Sequence, residues 1–407
     1  MKVPKRLIAS LAVAIVLIGV IAYFLLAPSR AQREQAQRES GSQTEPGLRT
    51  DENGMPVIDD DPAAHLERYR KWAQYPPNSR PLFAGQVDLL DPYNAEKNPV
   101  YVVQTPAEGC SANAQGLLEC AKKAVFSDVE CKLTPERYIS IGTKDFHLYL
   151  SCTSKKQNEG KPLAIESIET KFYRQLFKNI IPSLPPIAVG DDGANGDEKA
   201  GDHIYTITVR PTSQDWGDMF LEAEFKVAGF KHVQRADFFS TPHKTAEFQS
   251  GIRDANRNGQ LVVSVPVNVF KAGYYKFDAN LVQKEDDHQP VASASWEGDL
   301  TPGAQTIDIQ FFGKVIKDQK LNGPYVVKNL RGMRNNSPVA PSMLKNAIAS
   351  GKPIGPQQHK EPLQEYMEPY AGDYSTQAYR ADDFSSDEWQ SEEKDRRIKY
   401  LESLGTN

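Results

Sequence analysis

The stretch QLVVSVPVNVF, residues 260–270, decides the fold class. Val263, Val265, Val267 and Val269 fall on one side of an extended chain, with Ser264, Pro266 and Asn268 on the other. This is the period-two pattern of a strand with one buried face. A helix would scatter those valines around its axis. Pro266 has no N–H to give, which predicts an edge strand or a bulge at that point. Similar runs lie on either side: MFLEAEFKV (219–227), GYYKFDANLVQ (273–283), PVASASWEGDL (290–300), TIDIQFFGKVI (306–316) and YVVKNL (325–330). Short strands broken by turn clusters predict an antiparallel β-sandwich over residues 216–332.

Upstream, VYVVQ (100–104), AVFSDVEC (124–131), DFHLYLSC (145–152) and HIYTITVRP (203–211) alternate in the same way. They predict a first β-rich domain over residues 83–212, with TKFYRQLFKN near 170–179 as a helical interruption. Before it, residues 62–82 read as a short helix, with Leu66, Tyr69, Trp72 and Ala73 on one face, and a proline-rich extended segment. Residues 333–407 form a polar tail. Trp389, Ile398, Leu401 and Leu404 predict a terminal helix over 386–404, capped by Ser385 or Ser386. A lone helix of that length is marginal in water. The tail is therefore expected to be a strap that docks on a sandwich or on the Leu66–Trp72 helix, its tyrosines at 366, 370, 374 and 379 adding contacts. A disordered tail is the competing expectation.

The N-terminus sets the location. Lys2, Lys5 and Arg6 precede an uncharged run from Leu7 to Ala27, long enough as a helix to span a bilayer core of about 30 Å. Residues 1–6 are expected in the cytoplasm, 7–27 as a transmembrane anchor and 28–61 as a flexible linker. A cleaved signal peptide is the rival reading, disfavoured by the length of the run and by bulky Tyr23, Phe24 and Leu25 where small residues belong. Arg30, Arg33 and Arg38 partly cancel the charge bias that orients the span. The cysteines break the tie. Cys110, Cys120, Cys131 and Cys152 are an even set within a short stretch, without a C-x-x-C pair, which favours disulfides in an oxidising compartment over zinc. Three pairings are open; proximity favours Cys110 with Cys120 and Cys131 with Cys152. The expected location is the bacterial inner membrane, single-pass, with the body in the periplasm and the lipid bilayer as the first partner. A net charge of −5 argues against nucleic acid as another.

Two blocks resemble a known group. DDGANGDEKAGDHIYT (191–206) is similar to the D-D-G-x-x-G-D-x-x-A-G-D-G-x-Y-T loop of bacterial exported proteins with a choice-of-anchor X domain. Residues 273–331 resemble their G-x-Y-x-x-x-A-N-L-Y, L-x-x-G-x-Q and N/D-G-P-Y blocks. The resemblance implies an immunoglobulin-like sandwich, an envelope-attached location and no defined reaction. His203 stands where the loop usually carries glycine, so the turn is expected to differ there.

Candidate chemistry is sparse. Asp191, Asp192, Asp197 and Asp202 could supply oxygens to calcium, although side-chain-capped turns use the same residues. DANRNGQL (254–261) imitates half of an EF-hand, but Val265 occupies the place of the bidentate glutamate, and Asn258-Gly259 reads as a hairpin turn. His232 and His243 flank Phe238-Phe239 and could meet in space. No zinc-protease, nucleophile-elbow, phosphate-loop or dinucleotide motif occurs. Trp216, Phe220, Tyr274, Tyr275 and Trp296 could form a glycan platform, with core packing the commoner fate. The expectation is a mainly β, non-enzymatic protein with a binding or structural role, without a cofactor, whose further partner is an envelope protein or glycan. The alternative is an exported carbohydrate-binding or hydrolytic envelope enzyme.

Overall fold

The computed structural model describes residues 62–94, 99–113, 118–156, 160–176, 179–284, 289–336, 347, 349–351 and 362–404. The Leu7–Ala27 run and the 28–61 linker lie outside them. Among the described residues no helix is long and apolar enough to cross a membrane.

The chain is mainly β. It opens with α1 (Pro62–Trp72), β1 (Ser79–Pro81), α2 (Val87–Leu90), β2 (Val100–Thr105), β3 (Glu108–Ala112) and β4 (Leu118–Lys122). There follow β5 (Val125–Pro135), β6 (Ile139–Ile141), β7 (Phe146–Ser154), β8 (Ile165–Leu176), β9 (Asn179–Ser183), β10 (Ile187–Gly190) and β11 (Tyr205–Val209). Next come β12 (Gly217–Val227), β13 (Phe230–Thr241), β14 (Ala246–Phe248), β15 (Arg253–Arg257), β16 (Gln260–Val269), β17 (Gly273–Gln283), β18 (Pro290–Leu300) and β19 (Gly303–Phe311). Helix α3 (Gly313–Gln319), β20 (Tyr325–Asn335), β21 (Gln364–Tyr366), β22 (Tyr374–Ser375), a 3-10 turn (Ala381–Asp383) and α4 (Glu392–Leu404) complete it.

Among the described residues, Gln104–Phe126 group apart from the rest of the chain. Their strands β3 and β4 make an antiparallel hairpin with Cys110 opposite Cys120, and those two cysteines are bonded. Every residue of β3 is exposed, so the hairpin has a ladder and a disulfide but little core.

The other described residues carry two hydrophobic cores. In the first, sheet β10-β11-β7-β5-β2 faces sheet β6-β13-β12-β8-β9. Leu148, Leu150, Ile207 and Val209 meet Leu221, Phe225 and Phe238, with the bonded Cys131–Cys152 pair fully buried among them. The second core lies between sheet β1-β18-β17-β20-β21, with β22 also on β20, and sheet β14-β16-β15, with β19 on the other edge of β16. Val263, Val265, Val267 and Val269 of β16 are all buried, against Tyr275, Phe277, Ile307, Ile309 and Phe311.

Several sequence expectations need correction. Residues 216–241 do not join the second sandwich. Strands β12 and β13 pair with each other and β12 with β8, and their apolar faces fill the first core. TKFYRQLFKN is not helical; Thr170–Leu176 is the end of β8, paired with β12, and Phe172 is buried. Pro266 is at neither an edge nor a bulge. It pairs with Thr306 on β19, and its carbonyl accepts from Gln249 N on the other side. The missing N–H falls in the gap between β14, which ends opposite Val267, and β15, which begins opposite Ser264. The GKVI end of TIDIQFFGKVI is helix α3 rather than strand.

The tail is a strap. β21 and β22 add to the open edge of β20, and Met367 is buried beside Gly332. The strap then crosses to β15. Buried Asp254 accepts from Tyr374 Oη at 2.5 Å and Tyr379 Oη at 2.6 Å, and Asn256 Nδ2 donates to Asp383 O at 2.8 Å. Phe384 enters the second core. Helix α4 starts later than expected, at Glu392, because Ser391 is the cap: its Oγ accepts from Lys394 N at 3.1 Å. It packs on α1, with Leu401 buried and Arg70 bonded to Glu402 at 2.6 Å, while Leu404 stays exposed.

Candidate functional site

Helix α2 and the loop after it, Val87 to Asn94, tie the two sandwiches together. Asn280 Nδ2 on β17 donates to Leu89 O at 2.6 Å, and Asn329 Nδ2 on β20 donates to Leu90 O. Three residues on, Tyr93 O accepts from Tyr138 N at 2.9 Å, just past β5. The loop is thus pinned on one side to the second sandwich and on the other to the first.

Aromatic rings fill the junction. Tyr366 of the strap meets Tyr93 edge-on at 6.4 Å and Phe239 of β13 at 5.3 Å. Carboxylates approach from both sandwiches. Burial, reinforced by Asp237, pushes the Asp218 carboxyl above its usual range. Burial does the same to Asp278, against the pull of Arg331 and Lys276. Burial also raises the phenols of Tyr93, Tyr138 and Tyr366. Burial is the largest cause in each case, although Tyr138 and Asp218 keep much of their surface in water at the edge of this seam.

Beside this seam is an open hollow of about 440 Å³. Asp91 and Tyr93 of the loop line it, with Lys132, Thr134, Glu136 and Arg137 from β5 and its end. Among the described residues nine buried side-chain polar atoms have no hydrogen-bond partner, and three belong to this lining: Tyr93 Oη, Thr134 Oγ1 and Arg137 Nε. Glu136 Oε2 sits 3.0 Å from His147 Nδ1, and Arg137 reaches Glu368 at 3.5 Å. A second hollow of about 480 Å³ on the β15-β16-β19 face is internally satisfied. There Asp308 accepts from Ser264 Oγ at 2.5 Å and from Arg257 at 2.5 Å. These bonds outweigh burial and hold its carboxyl below the usual range.

The aspartate loop is folded by its own carboxylates. Asp191 accepts from the amides of Gly201, Asp202 and His203, Asp197 from Gly193 N at 2.5 Å and Thr206 Oγ1, Asp192 from Ala194 N, and Asp202 from Ile204 N. Oxygens of Asp191, Asp197 and Asp202 lie within 4.8 Å of one another, so those three could hold a cation, whereas Asp192 is outside the group. His203 has φ +65°, the left-handed backbone that favours the glycine usual in the resembling loop. DANRNGQL is a hairpin turn: Asn258 and Gly259 have φ of +54° and +75°.

The aromatic set does not form a platform. Phe220 is buried under the Arg235 guanidinium, 3.6 Å from its ring centre, and Tyr275 is in the second core. Trp296 packs on that core, Arg174 covers Trp216 at 4.7 Å, and Tyr274 bonds Glu297 at 3.0 Å. His232 lies edge-on to Phe225 at 5.4 Å, and burial lowers its proton affinity; His243 is exposed before β14. Sequence reasoning missed Tyr93, Thr134 and Arg137. They form no motif, and only the fold brings the loop over β5.

Residues 245–336 match the family model described as the "Domain of unknown function (DUF4785) C-terminal domain". The segment begins almost at β14 and ends with β20, a β-rich unit without an assigned activity. No curated protein matches. Among solved structures, a DUF4785 family protein from Legionella pneumophila is similar at 12% identity, over 66% of this chain and 81% of that one, with a TM-score of 0.37. The Yersinia pseudotuberculosis adhesin InvE is similar at 13% identity, over 50% and 54%, with a TM-score of 0.20. Salmonella alpha-2-macroglobulin reacted with methylamine is similar at 11% identity, over 60% and 21%, with a TM-score of 0.21.

Proposed function

We propose that this chain is a membrane-anchored, extracytoplasmic protein with a binding or structural role in the bacterial cell envelope, its body built of immunoglobulin-like sandwiches. The exposed Cys110–Cys120 hairpin carries the reading. A disulfide on an exposed hairpin with so little core is open to the thiol pools of a reducing cytosol, so it favours an oxidising compartment. The apolar run from Leu7 to Ala27 supports the same location, as do the blocks that resemble choice-of-anchor X proteins. The role is read as binding rather than catalysis because the sequence carries no catalytic motif, and the strap and pinned loop give a partner a fixed surface.

Fractionation and protease accessibility test this. Full-length protein should sediment with membranes. Protease added to cells with a permeabilised outer membrane should digest the body and leave a short N-terminal fragment. Recovery of an intact body under those conditions would overturn the topology.

A further inference from the structure

We propose that the open edge of β2 pairs with the same strand of a second copy of this chain about a two-fold axis, joining two five-stranded sheets into one. The strength of that pairing rests on the membrane-anchored reading above. Strand β2 (Val100–Thr105) ends the sheet β10-β11-β7-β5-β2, and no described strand lies on its other side. An edge strand presents unpaired N–H and C=O groups, and proteins guard such edges with proline, charge or brevity. The other sheet ends among the described residues have such a guard. Strand β9 carries Pro182, β1 and β6 have three residues each, β10 has four, and β19 carries Asp308. The sequence of β2, VYVVQT, holds no proline and no charge. Its Val100 and Tyr101 are half-exposed.

The edge also selects its partner. Val102 is fully buried in the first core, so Tyr101 and Val103 lie on the outer face of the sheet. A two-fold axis along the sheet normal through Val102 keeps both cores on one side of the joined sheet. It sets Val102 beside Val102 of the second copy and, twice over, Tyr101 beside Val103. An aromatic against a β-branched residue is a favourable cross-strand pair, and no like charges meet. Tyr101 bonds to Glu130 on the neighbouring β5, which keeps its ring on that outer face. Pairing of one six-residue edge is small beside the roughly 1,000 Å² that a stable interface clears. A shared bilayer offsets that deficit. Residues 28–61, a flexible linker by composition, reach about 30 Å from the anchor, so copies meet at raised effective concentration. A foreign strand would have neither the symmetry nor the common anchor.

The test uses the full-length chain in the cells that make it, expressed in two versions with different epitope tags. A photo-crosslinking residue, p-benzoylphenylalanine, replaces Val100. Near-ultraviolet light should give an adduct of twice the chain's mass that carries both tags, with the crosslink on β2. The same probe in place of Leu184 should give none: that residue is 95% exposed but joins β9 to β10, at the far end of the sheet from β2. Tyr101→Lys combined with Val103→Lys sets like charges opposite each other and should cut the adduct about tenfold. Co-expression with a chain carrying Tyr101→Glu and Val103→Glu should restore it, which a variant that merely failed to fold would not allow. The proposal is overturned if the probe at position 100 gives no adduct with a second copy or captures only a different protein. It is equally overturned if position 184 gives as much adduct, if the lysine pair leaves the yield unchanged, or if the mixed charges do not restore it. None of these outcomes alters the protease pattern, so the anchored reading can fail separately.

Discussion

Glu365→Ala tests whether the strap belongs to the folded body. Glu365 on β21 has no exposed surface, and its carboxylate pairs with Arg334 at 2.6 Å and with Lys271 at 3.3 Å. Arg334 is itself only 11% exposed in its side chain. Alanine leaves that cation in the interior without its carboxylate, a change that costs about 3–5 kcal/mol in comparable buried pairs. Lys271 is a third exposed and can turn to water, so its share is small. The expected loss is about 3 kcal/mol, which speeds opening about a hundredfold. Hydrogen exchange reads it directly. The Met367, Tyr370 and Thr376 amides bond to Gly332, Leu330 and Tyr325 carbonyls and should exchange about a hundredfold faster, while β7 and β12 stay unchanged. A second change, Arg334→Met, removes the stranded charge. The double variant should recover most of the loss, because a buried ion pair is seldom better than an apolar pair of its size. An effect under about tenfold, or a double variant worse than Glu365→Ala alone, would refute the reasoning.

The two disulfides should respond differently to reductant: Cys110–Cys120, in the exposed hairpin, opens first, and fully buried Cys131–Cys152 opens only with the first sandwich, as thiol counting by mass would show. Replacing Cys131 and Cys152 by alanine should destabilise the first sandwich by about 3 kcal/mol and leave the second nearly unchanged in calorimetry. Gly332→Ala should cost about 1–3 kcal/mol by overpacking, since a Cβ there would lie 2.7 Å from Phe277 and 2.8 Å from Met367 Sδ; denaturant titration measures it. Asp278→Asn should stabilise the junction at neutral pH. Burial raises the Asp278 carboxyl in the fold, so the fold binds its proton more tightly than the unfolded chain does. The native residue's contribution is then most favourable below the unfolded value of about 4 and is lost as pH rises through the folded one. The advantage of the variant should therefore shrink as pH falls towards about 4, in paired denaturation curves.

Period-two alternation made the strands legible, because one buried face is a local property. Membership of a sheet is not. MFLEAEFKV reads the same whichever core it faces, and its partner β8 lies more than forty residues upstream. TKFYRQLFKN reads as a helical interruption from sequence alone, yet pairing with β12 holds Thr170–Gln175 extended and buries Phe172. Local propensity yields here to tertiary context. Pro266 misled for a similar reason: the edge rule cannot see that the neighbouring position is divided between β14 and β15. Disulfide pairing followed proximity because each pair sits directly across a hairpin or ladder, Cys110 opposite Cys120 and Cys131 opposite Cys152. The hollow was illegible. Tyr93 comes from a loop pinned by Asn280 and Asn329, residues nearly two hundred positions or more away; Thr134 is on β5 and Arg137 just past its end, where the pattern announces only packing.

The most direct test of the extracytoplasmic account is the redox state of the four cysteines in the cells that make the protein. Cells are quenched in acid and alkylated with a mass-tagging thiol reagent, with and without prior reduction. The account predicts that Cys110, Cys120, Cys131 and Cys152 take no tag until reductant is added, and then take all four. Four tagged thiols without reductant would contradict it.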